Sequence, residues 1–160
     1  MDNLMQPLGN FCTTSGTLVA GTTTTITTST TINYSINGIA YIKTAITNGA
    51  TPTTDWPNGN AFRGIVANQG TVIVLALDSG GTVRAGQGDI EALDSQGAFV
   101  TLPQFPRLGD LVAPFGMIIL KAASNLSGTW TFGSSNLSSV TGMTYTFKNL
   151  MTLPARPIAS

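Results

Sequence analysis

Apolar and polar positions alternate along this chain in short runs, each closed by glycine, proline or asparagine. Ile32-Asn33-Tyr34-Ser35-Ile36 alternates at period two, which predicts a strand with one buried face. Ile39 to Ile46 continues the pattern after Asn37-Gly38. Asn-Gly between two such runs predicts a tight hairpin, because both residues accept positive φ. A turn-rich loop follows, with Asn48-Gly49, Pro52, Asp55, Trp56-Pro57 and Asn58-Gly59. Further strands are expected at Ala61 to Val66, Thr71 to Leu77, Thr82 to Ala85, Asp89 to Leu93, Ala98 to Leu102, Met117 to Lys121, Gly128 to Phe132 and Met143 to Phe147. No long stretch keeps the 3.6-residue period of a helix; the best helical candidate is one turn at Leu108 to Val112. Many short strands with regular turn punctuation predict an all-β fold, a β-sandwich or a jelly roll.

The N-terminal 31 residues break this pattern. Eleven of the nineteen residues from Thr13 to Thr31 are threonine, and no charge occurs from Asn3 through Ile42. Threonine is β-branched and favours extended backbone. Leu4, Met5, Leu8, Phe11, Leu18, Val19 and Ile26 make the segment too apolar for a spacer. The expectation is an extended arm over residues 1–31 that orders against a partner, followed by a sandwich over residues 32–160. Fully extended, 31 residues span roughly 100 Å, enough to reach a neighbouring subunit.

Composition narrows the chemistry. Charged residues are 9% of the 160, the formal net charge is zero, and histidine is absent. Phosphate neutralisation needs clustered Lys and Arg, so a nucleic-acid partner is not expected. Histidine-based catalysis and ligation are excluded. The single cysteine, Cys12, cannot form an intrachain disulfide and has no evident activating base. The N-terminus shows no secretory signal. The longest aliphatic run, Val72 to Leu77, is far too short to span a membrane as a helix. Neither a membrane partner nor a cofactor is expected.

Candidate sites are few. Asp89 and Glu91 would share one strand face and could act as a carboxylate pair on a glycoside, but such pairs are usually the solvated side of a strand. Gly86-Gln87-Gly88 lacks the rest of a dinucleotide fingerprint and reads as a turn or bulge. The Asn-x-Ser sequons at Asn33, Asn125 and Asn136 are expected by chance in so Asn- and Ser-rich a chain. Trp130 with Phe132, and Tyr145 with Phe147, read as core filling. Trp56, in a polar turn-rich loop, reads as a surface contact and opens the alternative of a receptor- or carbohydrate-binding fibre or adhesin domain.

Five phrases occur in order: Tyr34 to Tyr41 (YSINGIAY), Gln104 to Arg107 (QFPR), Pro114 to Gly116 (PFG), Trp130 to Ser138 (WTFGSSNLS) and Leu153 to Pro157 (LPARP). Together they resemble small virion structural proteins of tailed bacteriophages, particularly capsid decoration or cement proteins. The resemblance spans about Asn33 to Ile158 and leaves out the Thr-rich segment. It implies a non-enzymatic β-sandwich on the capsid exterior, bound to the major capsid protein, with no catalytic residues to carry over. A homo-oligomer, dimer or trimer, is expected on the shell. The expected contact residues are Leu4, Met5, Phe11, Leu18, Val19 and Ile26 of the arm, Trp56, and Arg156 of a proline-ordered C-terminal peptide.

Overall fold

The computed structural model describes residues 9–152. Two long strands form its centre: β7 (Gln69–Asp78) and β10 (Val112–Ala122), paired antiparallel. Their apolar runs are nearly continuous because both faces are covered. Ile73, Leu75 and Leu77 of β7 point into the larger core, while Val72, Val74 and Ala76 point into a smaller one behind it. In β10 the register shifts between Pro114 and Gly116. Phe115 is the extra residue, and the inward parity changes across it, from Ala113 and Phe115 to Ile118, Leu120 and Ala122. Such a bulge is where a central strand tolerates proline.

β8 (Val83–Gln87) and β11 (Met143–Asn149) flank this pair in the order β11-β10-β7-β8, and β9 (Glu91–Ala92) adds to the start of β7. Against the face carrying Ile73 and Phe115 lie two smaller antiparallel sheets. One is β1 (Phe11–Cys12), β4 (Ile32–Ile36) and β5 (Ile39–Lys43), in the order β1-β4-β5. The other is β2 (Leu18–Ala20), β3 (Thr25–Thr28) and β6 (Gly49–Ala50), in the order β2-β3-β6. The fold is thus all-β, a sandwich whose smaller layer is split in two. The four-plus-four strand arrangement of a jelly roll is not among these pairings. Loop residues Phe99, Phe105 and Leu108 cover the second face of the large sheet.

The Asn37-Gly38 hairpin forms as its sequence demands. Asn37 and Gly38 have φ of 51° and 79°, and Ile36 pairs with Ile39. Three expected strands shrink to single bridges, Thr54 to Ala61, Ile65 to Trp130 and Leu93 to Phe99. Two of them still send apolar side chains into the core, where Phe62, Ile65, Trp130 and Phe132 are buried, whereas Val100 and Leu102 of the third are exposed. The expected helical turn at Leu108 to Val112 is absent, because Gly109 takes φ 76° and β10 already begins at Val112.

The arm expectation requires correction. Residues 9–31 contribute β1, β2 and β3 to the chain's own sheets. Cys12, Leu18 and Ile26 lie in the larger core beside Ile32, Tyr34 and Phe115, so the expected boundary at residue 31 falls inside the sandwich. The threonine hydroxyls serve the fold: Ile46 N–H donates to Thr28 Oγ1 at 2.9 Å, Asn48 N–H donates to Thr27 Oγ1 at 3.1 Å, and Thr51 Oγ1 donates to the Thr24 carbonyl at 2.6 Å. A β-branched side chain with a hydroxyl suits a narrow sheet edge, where it packs and satisfies loop backbone together. Leu4, Met5 and Arg156 lie outside the described residues.

Candidate functional site

The end of the sandwich where β7 finishes and β10 begins brings two exposed aliphatic side chains, Ile39 and Leu111, together with aromatic residues. Here a groove of about 430 Å³ is lined by Ile36, Ile39, Tyr41, Trp56 and Leu111, with Asn37, Asp78, Ser79, Gly80 and Thr82 at its polar side. Ile39 is 59% exposed and Leu111 66%, high values for large aliphatic residues. The groove walls come from four places: the β4–β5 hairpin, the loop carrying Trp56, the turn between β7 and β8, and the turn entering β10.

Each wall is fixed by polar chemistry. Asp55 is buried; its Oδ1 accepts the Gln87 N–H at 2.8 Å, and Asn58 Nδ2 donates to its Oδ2. Trp56 N–H donates to the Ala85 carbonyl at 2.8 Å. Gln87 in turn exchanges two bonds with the Arg63 backbone, and Arg63 Nη2 donates to the Gly88 carbonyl. The Trp56 ring is pinned in place: its Nε1 donates to the Leu108 carbonyl at 3.1 Å, and the Arg84 guanidinium lies 4.6 Å from its centroid. Arg84 Nε donates to Asp78 Oδ2 at 3.0 Å. Burial works to raise the Asp78 pKa, but the N–H groups of Thr82 and Gly80 and the Arg84 guanidinium outweigh it and hold the carboxyl below its ordinary value. The Tyr34 hydroxyl donates to the Asp78 carbonyl at 2.9 Å, and Tyr34 stacks on Tyr41 with centroids 5.4 Å apart. Burial, then the Asp78 charge, push the Tyr34 phenol upward.

Both ends of the described chain meet at this end of the body. Asn10 Nδ2 donates to the carbonyls of Asp110 and Val112 at 2.9 and 2.8 Å, and its Oδ1 accepts the Asn37 N–H at 3.0 Å. Two residues further on, Cys12 N–H donates to the Met151 carbonyl at 2.7 Å. The described residues therefore begin beside Asn37 and Asp110 and end beside Cys12.

The expected contact residues separate. Leu18 and Ile26 are buried in the chain's own core, where no partner reaches them. Phe11 is half-buried on the outer side of β1, opposite Ser35, and Val19 is exposed on β2. Trp56 is half-buried and lines the groove. Sequence reasoning missed Ile39, Tyr41 and Leu111. Strict alternation was the signal for Tyr41, whereas Leu111 sits in a turn where pattern says nothing. Asp89 is exposed and Glu91 half-buried. The other acids of that stretch serve turns: Asp94 Oδ1 accepts the N–H groups of Gln96 and Ala98, and Asp78 Oδ1 those of Gly80 and Thr82. Cys12 is buried, its Sγ donates to the Pro114 carbonyl at 3.3 Å, and burial pushes its pKa up to about 12, so the thiol is protonated and unreactive near neutrality.

Comparison with protein-family models, with curated proteins and with solved structures finds no match to this chain.

Proposed function

We propose that this chain is a non-enzymatic structural protein of a virion, which binds the major capsid protein and stabilises the outer face of the shell. The observation that carries the reading is the convergence at one end of the sandwich. An apolar groove with exposed Ile39 and Leu111 lies at the end of the sandwich where the described residues begin, near Asn10, and end, near Cys12. Stable interfaces are built from such apolar cores, with charge depleted at the centre. The groove contains a single carboxylate, Asp78, already paired to Arg84. The capsid as partner rests on the resemblance of the five phrases to decoration proteins. Repetition over a lattice then multiplies a modest contact by avidity.

Sedimentation of the protein with shells of the major capsid protein encoded alongside it tests the reading. Leu111→Asp leaves the fold intact, since the side chain is two-thirds exposed, and weakens shell binding at least about tenfold by placing a charge in an apolar contact. Full-strength binding by that variant rejects the groove as the docking face, and no sedimentation of the native chain rejects the capsid reading.

A second reading has its own support. Trp56 presents a ring fixed by Arg84 and the Leu108 carbonyl, and a fixed aromatic face suits a sugar ring. Saturable binding on a glycan array, lost in Trp56→Ala, favours a receptor-binding module instead.

A further inference from the structure

Among the described residues the outer strand of the β1-β4-β5 sheet has a free edge, and its sequence is complementary to itself. β5 pairs with β4 on one side, and no described strand lies on the other. In a two-residue hairpin the pair flanking the turn is hydrogen-bonded and pairs alternate from there. Ile39, Tyr41 and Lys43 therefore bond to β4, with Ile36, Tyr34 and Ile32 as partners. The alternation is corroborated from the other side of β4, where the Asn33 carbonyl, opposite Ile42, accepts the Thr13 N–H and so faces β1. The N–H and C=O groups of Ala40 and Ile42 thus point outward, and neither residue has a backbone bond to any other described part of the chain. Ile42 is 73% exposed and Ala40 is exposed beside it on the same face.

Edge strands of monomers are ordinarily blunted by proline, inward charge or a bulge. β5 has none of these; its one charge, Lys43, stands at its end. We propose that β5 pairs antiparallel with β5 of a second copy about a two-fold axis through Tyr41, joining two three-stranded sheets into one of six strands. In that register Ala40 meets Ile42 of the second copy and the reverse, so all four outward backbone groups on each strand are satisfied. Tyr41 meets its own equivalent and extends the Tyr34–Tyr41 stack across the axis. Lys43 meets Ile39, not another lysine. The two lysines then lie about 14 Å apart at a rise of about 3.4 Å per residue, beyond the screening length of about 8–10 Å. Self-pairing is favoured over a foreign strand because apolar contact, backbone register and charge all close under one two-fold operation, as an isologous interface requires. The zero net charge of the chain removes long-range repulsion between copies. This pairing is a property of the isolated protein and stands apart from any capsid.

Sedimentation velocity on the full chain over a concentration series tests it. The native chain shows a reversible monomer–dimer equilibrium, and Ile42→Lys weakens it at least about tenfold while leaving the melting temperature of the dilute monomer unchanged, since the side chain is solvent-exposed there. A second experiment reads the register. Under mild oxidation Tyr41→Cys forms an interchain disulfide, because directly opposed non-hydrogen-bonded residues have Cα atoms about 4.5 Å apart, while Lys43→Cys, facing Ile39 of the second copy, does not. A strictly monomeric native chain, a dimer indifferent to Ile42→Lys, or cross-linking at 43 in place of 41 overturns the proposal.

Discussion

Ile26→Ala asks directly whether the Thr-rich N-terminal segment belongs to the fold. Ile26 is the one large aliphatic residue of β3, fully buried in the larger core that also holds Leu18 and Phe115. The substitution removes three carbon atoms. At about 0.8 kcal/mol per buried methylene the transfer loss is about 2.4 kcal/mol. The unfilled space adds to this, because β3 is held on both sides by β2 and β6 and cannot collapse inward. The expected total is about 3–4 kcal/mol, within the measured span for Ile→Ala in cores. For a domain of this length that lowers the melting temperature by roughly 6–16 °C. Val19→Ala, one strand away but 45% exposed, is the matched control and changes stability by about 0.5 kcal/mol or less. Urea denaturation followed by circular dichroism and by Trp fluorescence measures both, with equal slopes confirming a two-state comparison. A loss below about 1 kcal/mol in Ile26→Ala refutes the reasoning and returns the segment to a dispensable arm. The same logic predicts that deleting residues 1–31 abolishes the cooperative melt.

Asp55→Ala leaves the Gln87 N–H and the Asn58 amide without their carboxylate and costs about 2–4 kcal/mol; chemical denaturation gives the loss, and faster acrylamide quenching of Trp56 reports the loosened loop. Gly38→Val forces a β-branched residue to φ 79° at the hairpin turn and costs about 1–2 kcal/mol or more, whereas Gly38→Asn is nearly silent in the same melt. The Cys12 thiol is held neutral to about 12 in the folded chain, while the unfolded thiol ionises near 8.5. Its contribution is therefore fully present below pH 8.5 and is lost as pH rises toward 12. The stability of the native chain falls more steeply over that window than that of Cys12→Val, and parallel pH profiles would remove burial of the thiol from the account. Asp78 has the opposite sign: its carboxyl is held low in the fold, so its contribution disappears as pH falls below the ordinary carboxylate range, and Asp78→Asn flattens the acid limb of the profile.

The β class, the Asn37-Gly38 hairpin and the buried central strands were legible because each rests on local chemistry. Positive φ at Asn37 and Gly38 is decided by two residues, and the Val72 to Leu77 run needs cover on both faces whatever covers it. The Thr-rich segment misled for a physical reason. Threonine says extended backbone but not whose sheet receives it, and Ile26 and Leu18 look the same in sequence whether they meet their own core or a neighbour's. What decides is long-range pairing, Leu18 with Thr28 and β3 with β6 across the intervening β4–β5 hairpin. The groove was half legible. Trp56 stood out by composition, but Leu111 reaches the groove through the return of β10 alongside β7 and Ile39 through the packing of the β1-β4-β5 sheet over that pair, and nothing local encodes that juxtaposition. Asp55 looked like an ordinary loop polar and Gln87 like part of a turn or bulge, whereas Gly86 and Gln87 extend β8. Their burial together follows from the Trp56 loop packing on β8, a contact between residues 32 apart.

A cryo-electron reconstruction of shells assembled with and without the protein bears most directly on the central claim. The account predicts added density on the shell exterior, with the sandwich oriented so that Ile39, Trp56 and Leu111 face the major capsid protein and the residue-9 and residue-152 ends lie at the contact. Shells that bind no copy, or that hold the sandwich with this end turned to solvent, contradict it.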